Sequence, residues 1–68
     1  MIKELAEKYN IDIQVIPKLM TATMEVQLTK DGKRIIYPFP LVEYQDKPEQ
    51  IARIIEEIII NEFMIVEV

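Results

Sequence analysis

The chain has 68 residues, half of them apolar, with eight basic and twelve acidic side chains, a net charge of −4 and no cysteine or histidine. This is enough for one small domain and for a single core, and it excludes disulfide staples and the usual His–Cys zinc sites. An acidic chain of this kind is not a general polyanion binder. The charge is uneven: residues 1–34 carry six basic and five acidic groups, whereas residues 35–68 carry two and seven.

Ile2 to Tyr9 places Ile2, Leu5, Ala6 and Tyr9 on one face at helical spacing, with Lys3, Glu4, Glu7 and Lys8 opposite. Asn10 suits a left-handed helix terminus. The period then changes to two. Ile11, Ile13 and Val15 alternate with Asp12, Gln14 and Ile16, which predicts a strand ended by Pro17, with a connection through Leu19. A second strand is expected from Ala22, Met24, Val26 and Leu28 alternating with Thr23, Glu25, Gln27 and Thr29. Lys30-Asp31-Gly32-Lys33 has the Asp-Gly pair of a tight hairpin, and a third strand follows from Arg34 to about Phe39. Pro38 and Pro40, two residues apart, remove donors from one side of that strand and mark it as a sheet edge.

Leu41 to Gln45 then crosses to the strongest pattern in the chain, Pro48 to Ile60. On a helix, Ile51, Ile54, Ile55, Ile58 and Ile59 form one stripe, with Glu49, Arg53, Glu56 and Glu57 facing away. Burial of the five isoleucines contributes on the order of 8–15 kcal/mol before entropy. Asp46 and Glu49 have capping-box spacing and Pro48 fits a first turn. Continuing the helix would bring Glu62 to the centre of the stripe, so its end is expected near Ile60 or Asn61. Phe63 to Val68 reads as an extended segment, apolar apart from Glu67, that needs cover from the first strand or from another molecule.

Little chemistry is available. The sequence has no serine, and its one glycine, Gly32, cannot form a phosphate-cradling loop. Glu56 and Glu57 are adjacent on a helix, so their side chains diverge, and both read as a solvated face. Asp46 and Glu49 lack the carboxylate spacing of a calcium loop. Met20, Met24 and Met64 suit either gap-filling or an adaptable surface. No catalytic residue, cofactor site or metal site is expected. No signal peptide or membrane-length apolar run is apparent, which leads to the expectation of a soluble, cytoplasmic protein.

The order helix, three antiparallel strands, helix, with a first helix IKELAEKY and a second strand TMEVQLTKDGK, resembles the double-stranded-RNA-binding domain over residues 2–60. That resemblance supports an α-β-β-β-α meander, and the fold expected from the residues is α+β: a three-stranded antiparallel sheet with both helices on one face, extended by a C-terminal strand if the tail pairs within the chain. In that family, RNA affinity rests on a lysine-rich start to the second helix and a loop that enters the minor groove. Here the helix begins DKPEQIAR, and the loop PKLMT has one cation. Candidate nucleic-acid contacts are Lys18, Lys30, Lys33 and Arg34.

The leading expectation is a non-enzymatic protein-interaction module that self-associates as a homodimer. Ile60, Phe63, Met64, Ile65, Val66 and Val68 are its expected contact residues. Small size, acidity and missing motifs also suit an accessory or inhibitory protein of a phage or mobile element. A nucleic-acid-binding domain of the double-stranded-RNA-binding type is the alternative.

Overall fold

The computed structural model describes residues 2–63. Its order is α1 (Ile2–Tyr9), β1 (Asp12–Lys18), one 3-10 turn (Leu19–Thr21), β2 (Thr23–Lys30), β3 (Lys33–Pro40), α2 (Leu41–Tyr44) and α3 (Pro48–Glu62). The three strands form one antiparallel sheet in the order β1-β2-β3. The α-β-β-β-α meander of the α+β class expected from the sequence is therefore present. Of the extended segment expected from Phe63 to Val68, Phe63 is the C-cap of α3 and residues 64–68 lie outside the described residues.

Alternation decides which residues face the core. The register pairs Ile13 with Leu28, Leu28 with Ile35, and Met24 with Phe39. Val26, Leu28 and Phe39 thus point to one face, where they join Leu5, Tyr9 and Ile11 and the α3 residues Ile51, Ile55 and Ile59 in a single buried cluster. Both long helices cover that face. Of the five stripe isoleucines, Ile54 and Ile58 are half-buried flanks and the other three lie on the inner line. Tyr44 in α2 sets its ring edge-on against Phe39, with centroids 5.3 Å apart. Asn10 leaves α1 with φ 50°, the left-handed terminus expected of it.

The hairpin turn also fixes the direction of every strand backbone group. Asp31 and Gly32 have φ of 52° and 81°, the paired positive values of a type I′ turn, and Lys30 pairs with Lys33 across it. The pair closing a two-residue loop is hydrogen-bonded, and hydrogen-bonded pairs alternate along the ladder. The backbone groups of Leu28, Val26 and Met24 therefore face β3, while those of Thr29, Gln27, Glu25 and Thr23 face β1. The Leu41 N–H continues the first series, donating to the Ala22 carbonyl at 2.9 Å. Consequently Ile13, Val15 and Pro17 turn their backbone groups to the edge of β1 that has no neighbour among the described residues. Arg34, Ile36, Pro38 and Pro40 do so on β3.

Several boundaries depart from the sequence expectation. Pro17 does not end the first strand, because β1 has one neighbour among the described residues and the proline nitrogen faces away from it. Ala22 is not a strand residue; with φ 52° it closes the 3-10 turn as its left-handed cap. The Leu41–Gln45 crossing contains a helical turn, α2. The expected Asp46–Glu49 capping box is not formed: Lys47 occupies the cap position and no side chain caps the helix, with Pro48 in its first turn. At the other end α3 continues to Glu62, past the expected stop. Glu62 remains exposed, so no carboxylate is buried by the extension. Ile60, expected among the partner contacts, is half-buried against the core of its own chain. Because the buried line runs through positions four apart, it drifts around the helix and brings Ile60 and Phe63 toward the core side.

Candidate functional site

The described residues hold no converged polar chemistry. None of their polar or charged side chains is buried, and no group of three or more acidic residues among them is placed to hold a metal ion. A surface hollow of about 450 Å³ is lined by the consecutive residues 46–50 and is the open flank of the α3 start rather than an enclosed site. An apolar cleft between Ile2, Met24, Tyr44, Pro48 and Ile51 has a volume of about 240 Å³, below the usual range for ligand pockets.

Lys8 and Glu56, two titrating groups with displaced pKa values, belong to an interhelix tie. Glu56 in α3 accepts from the Tyr9 hydroxyl at 2.7 Å and from Lys8 Nζ at 3.1 Å, both on α1. The Tyr9 hydrogen bond and then the Lys8 ammonium hold the Glu56 carboxyl below its ordinary range. The same carboxylate, with the Tyr9 hydroxyl, raises Lys8. Glu56 is thus not the solvated helix-face residue that periodicity suggested. The signal missing from the sequence was its long-range partners, since Tyr9 and Glu56 are 47 positions apart.

The four candidate nucleic-acid residues do not form one patch. Lys30 Nζ donates to the carbonyls of Tyr9 at 3.1 Å and Asn10 at 3.0 Å, at the end of α1. Lys33 Nζ donates to the Glu62 carbonyl at the end of α3 and lies 5.6 Å from the centre of the Phe63 ring. The lysines on either side of the turn therefore cap the C-termini of the two long helices, where a cation meets the negative end of the helix dipole. Arg34 is exposed on the face of the sheet away from the helices. Lys18 is at the other end of the ladder, opposite Thr23, about 23 Å from Lys30 along β2.

Apolar exposure is concentrated elsewhere. Leu19 and Met20 in the 3-10 turn are 80% and 101% exposed, and Val42 at the start of α2 is 86% exposed. The Thr23–Pro40 pair and the Leu41-to-Ala22 hydrogen bond bring these two segments to the same end of the sheet. Of the residues expected to bind a partner, Ile60 and Phe63 are half-buried within their own chain. Met64, Ile65, Val66 and Val68 lie outside the described residues.

The two sheet edges differ. Of the outward-facing backbone positions on β3, Pro38 and Pro40 lack a donor. On β1, Ile13 and Val15 present both donor and acceptor, and only Pro17 is blocked. Val15 is also 38% exposed on the helix-covered face. No described helix is long and apolar enough to cross a membrane. Comparison with known protein families, with curated proteins and with solved structures gives no match for this chain.

Proposed function

We propose that the chain is a small, non-enzymatic protein-interaction module that associates with itself. The observation that carries this reading is the difference between the two sheet edges: β3 is blocked by two prolines, whereas β1 offers a strand ready for pairing. Unpaired strand edges recruit further strands unless they are protected. The apolar tip at Leu19, Met20 and Val42 supports the broader interaction role, because large exposed apolar groups gathered at one place mark contact surfaces. Lys8 and Glu56, whose titrations are displaced, belong to a tie between helices, which is a structural use of both groups. The capping of helix ends by Lys30 and Lys33 favours protein binding over nucleic-acid binding.

Ile60 and Phe63 are already half-buried, which moves the weight of the dimer proposal from the C-terminal segment to the sheet edge. Sedimentation equilibrium of the full chain from low to high micromolar concentration tests self-association. A reversible dimer is expected, and a monomer throughout that range overturns the reading.

A further inference from the structure

Resting on the proposed self-association, we infer that the partner at the β1 edge is a second copy of β1, paired antiparallel about a twofold axis through Val15. The argument starts from the strand itself, Asp12-Ile13-Gln14-Val15-Ile16-Pro17-Lys18, which carries opposite charges at its two ends. Backbone groups reaching the free edge belong to Ile13, Val15 and Pro17, so hydrogen-bonded pairs across the axis join odd-numbered positions. Centred on Val15, the two Val15 residues exchange both of their bonds. Ile13 N–H donates to the carbonyl of the partner's Pro17, once on each side, for four bonds in all. Pro17, which has no N–H, occupies the one edge-facing position of the strand that cannot donate.

Charge selects this register from its neighbours. With Val15 on the axis, Asp12 lies opposite the partner's Lys18, and Lys18 opposite the partner's Asp12. Asp12 and Lys18 are exposed on the outer face of the sheet, where cross-strand pairs of opposite charge are stabilising. A register centred on Gln14 retains the bonds between Ile13 and Val15 but sets Asp12 against an isoleucine. One centred on Ile16 sets Lys18 against glutamine and turns Pro17 toward Val15. The twofold axis runs perpendicular to the sheet, so the result is one six-stranded sheet with the long helices of both copies on the same side. Val15, part-exposed on that side, meets its own copy at the centre, in the isologous contact that a twofold requires.

The 68-residue chain has no cysteine of its own, so single cysteines report the register directly. Val15→Cys is expected to form a disulfide-linked dimer fastest under mild oxidation, ahead of Ile13→Cys, Gln14→Cys and Ile16→Cys. The Cα spacing of a directly opposed pair suits the bond. In parallel, Asp12→Lys and Lys18→Asp should each raise the dimer dissociation constant roughly tenfold, since each acts at two symmetry-related pairs. The double variant D12K/K18D should restore the original affinity. Circular dichroism confirms that each variant is folded. Fastest cross-linking at Gln14→Cys, or swaps without effect on a persistent dimer, overturns this inference and leaves self-association standing. A dimer cross-linked through Phe63→Cys but not Val15→Cys does the same and transfers the contact to the C-terminal segment. A monomer overturns both readings.

Discussion

The Tyr9 hydroxyl donates to Glu56 across the gap between α1 and α3, at 2.7 Å. It joins the two helices at the rim of the core, with Tyr9 one turn after the buried Leu5 and Glu56 next in sequence to the buried Ile55. Tyr9→Phe keeps the ring, itself part of the core, and removes only the hydroxyl. The expected loss is about 1 kcal/mol, the usual net contribution of such a bond. Glu56→Gln should also destabilise the fold, with a change in pH dependence that Tyr9→Phe shows only in part.

The sign of that dependence follows from the two shifts. Glu56 is held below its ordinary value of 4.5, so its contribution is complete above that pH and is lost as pH falls through the depressed folded value. Lys8 is raised above 10.5, so its contribution is complete below that pH and disappears only on the far alkaline side. Chemical denaturation between about pH 5 and 2 should therefore give a flatter stability profile for Glu56→Gln than for the wild type. Parallel profiles for the two proteins contradict the tie.

Ile55 has no exposed surface and stands mid-helix between Ile51 and Ile59. An aspartate there leaves an unpaired carboxylate in a cluster with no buried polar group to receive it. Ile55→Asp should abolish the cooperative thermal transition, whereas Glu57→Ala, on the exposed side of the same helix, should stay within about 0.5 kcal/mol of the wild type. Similar melting temperatures for both refute the register of α3.

The fold was legible where the pattern is local. The helical spacing of Ile2, Leu5 and Tyr9 located α1 to the residue, the Asp31-Gly32 pair located the hairpin, and the isoleucine periodicity gave the core line of α3. Proline was read correctly in β3 and wrongly in β1, although the physics is the same. The side to which a proline nitrogen faces depends on the register of the whole sheet, and register is not a property of one strand. The uses of Glu56, Lys30 and Lys33 were invisible for a related reason. Each is a surface charge in the sequence, and only long-range packing brings it a partner. Ala22 gave no signal at all, since alanine rarely adopts the left-handed conformation that the turn imposes there.

The capping lysines carry a prediction about nucleic acid. Lys30 and Lys33 hold helix-end carbonyls, Lys18 is at the far end of the ladder, and Asp46 and Glu49 flank the α3 start. Phosphate binding by Lys30 and Lys33 would have to displace those contacts. Titration with duplex RNA at physiological salt should show no complex, and any binding at low salt should disappear steeply as salt is added. A complex of micromolar affinity that persists at physiological salt contradicts the protein-interaction reading and favours the RNA-binding alternative.

Pro38 and Pro40 give the sharpest test of the edge asymmetry. Their nitrogens face outward from β3, so neither takes part in the ladder with β2, and replacing them removes no hydrogen bond within the sheet. Pro38→Ala and Pro40→Ala each restore an outward donor in a strand whose other outward positions, Arg34 and Ile36, already have one. The double variant then presents a row of four donors beside the exposed Ile36 side chain. Its circular dichroism should match that of the wild type, with a small loss of stability from the freer unfolded chain, about 0.4–1 kcal/mol per proline. Its light scattering should rise with concentration and time beyond the dimer, because both sides of the sheet are now open to pairing and two open edges allow a chain of copies to grow without closing. A double variant that unfolds without aggregating shows that the prolines fix a buried conformation, and one that remains a clean dimer shows that the prolines were not what kept the β3 edge closed.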